Sequence, residues 1–214
     1  MILRKLLSHN KLLKLIFKRK IKYEKYWIQN VPLIKKPDRL EYFFSMCKNK
    51  LVIHFGCTDY PIFNPGYNLH IQLSSVAQEL HGFDIDLDGI VKLKEYVDQP
   101  YYSDYETIKN NKYDVCLVPE TIEHVDNIKE FLQRLESIDA KVFIITAPNC
   151  FVHENMKRNT FKGGVYSEIV HPDHNCWFSP YTLKNVIEKY SSLKVIQVFL
   201  LEQDRMVCCE AVRN

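Results

Sequence analysis

The sequence of 214 residues lacks the patterns that mark several large classes of protein. No apolar run approaches the roughly 20 residues that a membrane-spanning helix needs, and a signal peptide's unbroken apolar stretch and cleavage site are missing. No Cys-x-x-Cys pair occurs, which argues against a structural zinc knuckle. The Gly-x-Gly-x-x-Gly spacing of dinucleotide-binding sheets and the lysine pattern of P-loops are also absent, which argues against those nucleotide sites.

The seven cysteines are an odd number, and several lie in apolar runs. Cys116 stands within the run 115–118, and Cys208 and Cys209 follow Val207. A disulfide framework would instead pair cysteines at polar, loop-rich positions. The pattern therefore predicts small buried thiols in a reducing compartment, and with them a cytoplasmic protein.

Basic residues are concentrated at the N-terminus. Residues 1–22 carry eight lysines or arginines and no acid, whereas the rest of the chain carries 21 basic and 26 acidic residues. Apolar residues recur among these lysines at helical spacing, which predicts a basic amphipathic helix. Such a helix either packs on the domain or makes a peripheral contact with the inner face of a membrane, and both alternatives stay open. The mildly acidic remainder disfavours nucleic acid as a partner.

Strand and helix patterns alternate from residue 51 onwards. Strands are predicted at 51–55, 82–86, 100–102, 113–118, 141–147, 195–200 and 206–212, and helices near 69–80, 88–96, 127–137 and 180–190. This alternation predicts an α/β fold. We expect a doubly wound, mostly parallel, seven-stranded Rossmann-like sheet that ends in an antiparallel C-terminal hairpin.

Two segments stand apart from this alternation. Residues 1–50, interrupted by Pro32 and Pro37, are predicted to form an N-terminal helical arm, and residues 51–214 to form the α/β domain. Within that domain, residues 149–179 are long, irregular and rich in histidine and aromatic residues. Loops of this length are usually functional, so the segment is predicted to be a lid that contributes the acceptor site.

Two strand ends predict a nucleotide-type ligand. Gly56 follows the first strand and allows close approach of a ligand to the backbone. Asp84 ends the second strand about 30 residues later, where a carboxylate can accept hydrogen bonds from both hydroxyls of a ribose. Because ligands of such sheets bind beyond the carboxyl ends of the strands, the two residues together indicate an adenosine-containing ligand.

Five segments resemble, in order, the strand-end motifs of the class I S-adenosylmethionine-dependent methyltransferases. They are VIHFGCT (52–58), GFDID (82–86), YDVCLVPETIEHV (113–125), IITAPN (144–149) and FSPYTL (178–183). The resemblance extends from about residue 51 to residue 200, and within the family the sequence is similar to methyltransferases of types 11 and 23. It implies S-adenosylmethionine as cofactor and methyl transfer as the activity.

The resemblance also implies roles for eleven residues at the cofactor site. The expected contacts with the methionine part are His54, Phe55, Gly56, Cys57 and Thr58; with the ribose, Asp84; with the adenine, Ile85, Asp104 and Tyr105; and with the methyl-transfer site, Pro119 and Glu120. The first loop departs from the family pattern, which has an acid where His54 stands and further glycines at Thr58 and Tyr60. Similar loops, with a Leu-His pair like that at 69–70, occur in methyltransferases of glycan-related genes.

A Glu-x-x-Glu-His pattern at 120–124 suggests a metal site. Glu120, Glu123 and His124 would share one helical turn, and His171 from the lid would complete a set suited to Mg²⁺, Mn²⁺ or Zn²⁺. The pattern resembles ubiquinone-pathway O-methyltransferases and RNA 3′-terminal 2′-O-methyltransferases. Without a metal, the candidates for a catalytic general base are His124, His171 and His174.

Three functions remain open from the sequence. The first is O-methylation of a small hydroxylated or glycan-type acceptor, and the second is metal-dependent methylation of an RNA 3′ terminus. The third, which the altered first loop favours, is a non-catalytic methyltransferase-like binding module.

Overall fold

The computed structural model describes residues 28–36, 38–59, 62–108, 110–152 and 159–214. The chain divides into two compact units, Met1–Val31 and Pro32–Asn214. Only residues 28–31 of the first unit are described, so the predicted basic amphipathic helix at 1–22 lies outside the described residues. Across those ranges, no helix has both the length and the apolar character needed to cross a membrane.

The described part of the second unit contains ten strands and six helices. The strands are β1 (Ile34–Lys35), β2 (Leu51–Phe55), β3 (Glu79–Phe83), β4 (Tyr101–Tyr102), β5 (Lys112–Val118), β6 (Asp139–Pro148), β7 (Thr160–Lys162), β8 (Val165–Ser167), β9 (Leu193–Leu201) and β10 (Met206–Arg213). The helices are α1 (Arg39–Cys47), α2 (Leu69–Ser74), α3 (Leu87–Leu93), α4 (Tyr105–Ile108), α5 (Ile128–Glu136) and α6 (Pro180–Tyr190).

Eight strands form one sheet in the order β1-β9-β10-β6-β5-β2-β3-β4. Only β10 runs antiparallel to its neighbours, and the other pairs in this sheet are parallel. The predicted α/β fold with a C-terminal antiparallel hairpin is therefore confirmed. The sheet has eight strands instead of the predicted seven because β1 adds to its edge, parallel to β9.

The N-terminal boundary of this domain lies earlier than the sequence predicts. Residues 34–47, assigned to the arm, form β1 and α1, and Tyr42, Phe43 and Cys47 on α1 are buried in the core with Leu73 and Phe199. Asp38 caps α1 by accepting a hydrogen bond from the amide of Glu41. The apolar face of α1 thus packs on the sheet and does not extend a separate arm.

The second predicted strand and the predicted lid also differ in detail from the sequence-based prediction. β3 ends at Phe83, two residues before Ile85, because Asp86 leaves the sheet and caps α3 by accepting from the amide of Gly89. The predicted lid contains a small antiparallel hairpin, β7–β8, whose central cross-strand pair is Phe161 and Tyr166.

The sheet order reverses between β2 and β5, since the chain first adds β3 and β4 on one side and then crosses over. That switch point is where such sheets bind ligands.

Candidate functional site

A cavity of about 1060 Å³ opens at the switch point, beyond the carboxyl ends of β2, β3 and β5. Gly56, Asp84 and Glu120, each one or two residues past one of these strands, line it. His124 and His171 also line it. The cavity is comparable in volume with the larger small-molecule and cofactor sites of proteins.

The turn after β2 requires glycine at position 56. Gly56 has a φ of 66°, and a Cβ atom built there would lie 2.6 Å from the side-chain oxygen of Thr121. A side chain would therefore be both strained in its backbone conformation and in collision with the next strand end. The two strand ends approach each other closely only because position 56 lacks a side chain.

Two glycines on neighbouring elements accommodate the larger residues of this loop. A Cβ at Gly82 would lie 2.9 Å from the Cys57 sulfur, and one at Gly89 would lie 2.7 Å from the Cβ of Thr58. The side chains of Cys57 and Thr58 thus fill space that Gly82 and Gly89 leave free. The departure from the family's glycine-rich pattern is matched by glycine opposite, and the cavity stays open.

Asp84 joins the two turns that face the cavity. One carboxylate oxygen accepts hydrogen bonds from the amide and the hydroxyl of Thr58, at 3.1 and 3.0 Å. The other accepts from the amide of Asp86 at 3.0 Å. A carboxylate has about four acceptor positions, so one remains for a ligand hydroxyl. Asp84 lies next to the Gly56 turn, as a shared ligand requires.

His54, which stands where the family has an acid, forms a buried pair with His70. Their Nδ1 atoms are 3.1 Å apart, so one ring donates and the other accepts. Burial holds the pKa of His54 well below its usual value, and the nearby His70 and Arg39 lower it further. Burial also lowers the pKa of His70 to about 3. Both rings are therefore neutral at pH 7, and the pair lies behind the cavity wall.

The predicted cofactor contacts divide into two groups. Seven of them line the cavity: Phe55, Gly56, Thr58, Asp84, Ile85, Tyr105 and Glu120. His54, Cys57 and Pro119 are buried and do not line it. Asp104 is exposed and immediately precedes α4, and its carboxylate accepts a hydrogen bond from the amide of Glu106 at 3.0 Å. The adenine role predicted for Asp104 thus has no support in its position, whereas Tyr105 next to it faces the cavity.

Glu120 has a partner that no sequence pattern indicated. Its carboxylate pairs with the guanidinium of Arg39, the first residue of α1. Burial raises the pKa of Glu120, while the charge of Arg39 opposes that shift and the charge of Asp59 adds to it. Arg39 lies in the segment assigned to the arm, and only the packing of α1 on the sheet shows that it contacts Glu120 at the edge of the cavity, without itself being part of the lining.

Three of the residues that line the cavity are histidines that lie close together. The ring centroids of His124, His171 and His174 lie 4.6 to 5.5 Å apart. One nitrogen atom from each ring lies within 4.8 Å of the other two. The Nδ1 atom of His174 is buried and has no hydrogen-bond partner in the described structure. These three residues are the ones predicted as candidate general bases, and the fold brings them together.

Of the two glutamates predicted as metal ligands, neither belongs to this group. Glu120 pairs with Arg39. Glu123 lines the cavity, but it is buried and neither carboxylate oxygen has a partner among the described residues. Burial raises the pKa of Glu123 to about 8, and the charge of Glu120 adds to the shift. The nitrogen-rich group His124, His171 and His174 is therefore a better candidate metal site than the predicted combination of glutamates and histidines.

No protein-family model matches the sequence, and no curated protein matches it. Solved structures do match. Magnesium protoporphyrin IX methyltransferase from Synechocystis PCC 6803, crystallised with bound S-adenosylhomocysteine (SAH), has a TM-score of 0.55 at 15% identity, over 82% of each chain. A SAM-dependent methyltransferase from Archaeoglobus fulgidus has a TM-score of 0.59 at 15% identity, over 82% of this chain and 91% of that one.

A third match agrees with these two. A type 11 methyltransferase from Sulfolobus solfataricus, described as putative in its own name, has a TM-score of 0.58 at 17% identity, over 82% of this chain and 90% of that one. Identities this low establish the fold and leave the reaction to be argued from the site. The protein has the Rossmann-like fold of the class I S-adenosylmethionine-dependent methyltransferases.

Proposed function

We propose that the protein is a methyltransferase that uses S-adenosylmethionine to methylate a hydroxyl group of a small or glycan-type acceptor. One observation carries the proposal: the cavity at the switch point is lined by the Gly56 turn and Asp84 and also by a group of three imidazoles. The turn and the carboxylate suit an adenosyl ligand, and the imidazoles suit an acceptor hydroxyl. The SAH bound in the Synechocystis enzyme supports the choice of cofactor.

In this reaction the protein itself contributes little covalent chemistry. When bound, S-adenosylmethionine supplies an electrophilic methyl group on its sulfonium. The chain aligns an acceptor oxygen with that methyl group and keeps water out. A neutral imidazole from the group His124, His171 and His174 accepts the proton that the hydroxyl loses.

The lid supports an acceptor that has an apolar or sugar ring face. Phe151 in the lid and the cross-strand pair Phe161 and Tyr166 of the β7–β8 hairpin are exposed, the last two at 74% and 60%. Such rings bind a flat apolar face at low entropic cost, because an aromatic side chain has only two rotatable bonds. Phe178, by contrast, is buried and belongs to the core, and Trp177 is half-buried against His174.

We expect Gly56→Ala to reduce the affinity for S-adenosylhomocysteine at least about tenfold in isothermal titration calorimetry. The new Cβ would lie 2.6 Å from the Thr121 oxygen, so the turn must move away from the ligand. Gly163→Ala is the matched control: Gly163 has a similar φ, 61°, but no atom lies within 4 Å of the added Cβ. Full affinity in Gly56→Ala, or no binding by the wild-type protein, would contradict the proposed cofactor site.

The three imidazoles can also hold a divalent cation. Three histidines with an open fourth position are typical of catalytic zinc sites, where the metal lowers the pKa of a bound oxygen. The unpartnered Nδ1 of His174 fits this use, because a buried polar atom otherwise costs free energy. With Zn²⁺ bound, the acceptor hydroxyl would be activated at the same place on the cavity wall.

Zinc binding is measurable apart from activity. We expect the metal-free protein to bind one Zn²⁺ in calorimetry and to lose that binding on His124→Ala. Cys176→Ser is the control, since Cys176 follows closely in sequence but lies outside the three-histidine group. If the wild-type protein binds no zinc, or if methyl transfer persists in the presence of a chelator, the histidines act without a metal.

Charge on the cavity wall disfavours the RNA alternative. Besides histidines and tyrosines, the ionisable side chains there are those of eight acids and one arginine: Asp59, Asp84, Asp86, Glu120, Glu123, Asp126, Glu130, Asp173 and Arg134. Seven of the acids remain when Glu123, with its raised pKa, is set aside. A phosphate backbone needs basic contacts, and binding that depends on them weakens steeply with salt. Salt-sensitive RNA binding would reopen this alternative. A folded protein that binds no S-adenosylhomocysteine would favour the non-catalytic module.

A further inference from the structure

Arg39 brings a positive charge to a strongly acidic end of the cavity. Its guanidinium pairs with Glu120, and its charge also lowers the pKa of Asp59, which burial and the charge of Asp84 raise. Both Glu120 and Asp59 line the cavity. The side chain of Arg39 is 29% exposed, so Glu120 does not seal it from solvent.

Among the described residues that line the cavity, no arginine or lysine supplies a positive charge at this acidic end. Arg134 is the only arginine or lysine in that lining, and it pairs with Glu130 and stacks on the ring of Tyr105. It therefore belongs to the wall formed by α4 and α5, whereas Arg39 adjoins the strand ends at Asp59 and Glu120. An anionic group bound near Gly56 would meet acids alone if Arg39 were absent.

The backbone holds these two acids in unusual conformations. Asp59 has a φ of 53° and Glu120 a φ of 44°, both in the left-handed region that side chains other than glycine rarely adopt. The amide of Glu120 is fixed by hydrogen bonds to the carbonyl and the hydroxyl of Thr146. Asp59 accepts a hydrogen bond from the side-chain amide of Asn68. Residues held in this way cluster at ligand-binding sites, because surrounding contacts must maintain the strain.

A guanidinium beside two carboxylates is complementary to one small chemical group, the zwitterionic end of an α-amino acid. We propose that Arg39 binds the α-carboxylate at the amino-acid end of the cofactor, while Glu120 and Asp59 receive its ammonium group. This inference rests on the proposed function. It makes Arg39, the first residue of α1, a binding residue that exchanges its pairing with Glu120 for a planar two-point contact with the ligand.

A pair of ligands that differ only in this group tests the assignment. Calorimetry of wild type and Arg39→Met with S-adenosylhomocysteine and with its decarboxylated analogue separates contact with the carboxylate from support of the loop. We expect Arg39→Met to weaken S-adenosylhomocysteine about 10- to 100-fold and to change the affinity for the analogue less than about threefold. Arg39→Lys should recover part of the loss.

Controls keep the outcomes apart. Lys35→Met removes a neighbouring surface cation that pairs with Asp204, and it should change neither affinity. Equal weakening of both ligands by Arg39→Met would show that Arg39 only supports the loop, and an unchanged affinity for S-adenosylhomocysteine would show that it makes no contact; either result overturns the inference alone. If the wild-type protein binds neither ligand, the proposed function fails and the inference fails with it.

Discussion

Replacing Asp84 by alanine is expected to weaken S-adenosylhomocysteine binding at least about 100-fold, which corresponds to about 2.7 kcal/mol. The carboxylate accepts from the amide and hydroxyl of Thr58 and from the amide of Asp86, so its loss releases both turns of the cavity wall. Its remaining acceptor position, which we assign to the ribose, is lost as well. Calorimetry on the purified full chain measures the change directly.

Asp84→Asn refines this test. Each carboxylate oxygen already accepts from a backbone amide, so an asparagine must turn its own NH₂ group toward one of these donors. We therefore expect Asn to be nearly as harmful as Ala, although its shape is conserved. Asp104→Ala is the control, because Asp104 lies just before α4 and does not line the cavity. We expect this variant to bind S-adenosylhomocysteine with an affinity within about threefold of wild type. Equal losses at Asp84 and Asp104 would contradict the assignment of the ribose contact.

Acidification from pH 7.5 to pH 5 is expected to lower the free energy of unfolding by about 2–4 kcal/mol through His54 and His70. Both residues have pKa values in the folded protein well below their usual value of 6.5, that of His70 being about 3. Below pH 6.5 the unfolded chain gains protons that the folded protein does not accept. The contribution of these two histidines to the free energy of unfolding is therefore fully present above pH 6.5 and is lost as the pH falls toward their pKa values in the folded protein.

Urea unfolding at several pH values measures this loss. Each histidine that stays neutral when folded contributes up to about 1.4 kcal/mol per pH unit. His70→Asn should therefore reduce the slope between pH 6.5 and 5 by up to this amount, while it leaves His54 a hydrogen-bond partner. Glu123, whose pKa in the folded protein is about 8, gains stability on acidification and so opposes this loss in the wild-type curve. Equal slopes in wild type and His70→Asn would refute the neutral buried pair.

Much of the fold could be predicted from the sequence because local patterns decide it. Continuous apolar runs mark the central strands β2, β5 and β6. Ser179, which caps α6, and Pro180 at the first position of that helix mark where it starts. The edges were less predictable. β1 has two exposed residues and little apolar pattern, so its pairing with β9 depends on contacts between residues about 165 positions apart.

The site divides along the same line. The sequence by itself determined that Gly56, Asp84 and the residues 120–124 lie at the ends of parallel strands, because strand and turn signals are local and parallel strands end at one edge. The tertiary structure decided which side chains meet there: Arg39 with Glu120, His54 with His70, and His124 with the two lid histidines. These pairs join segments far apart in the chain, and side-chain contact across such separations depends on how helices and loops pack on the sheet, which no local pattern encodes.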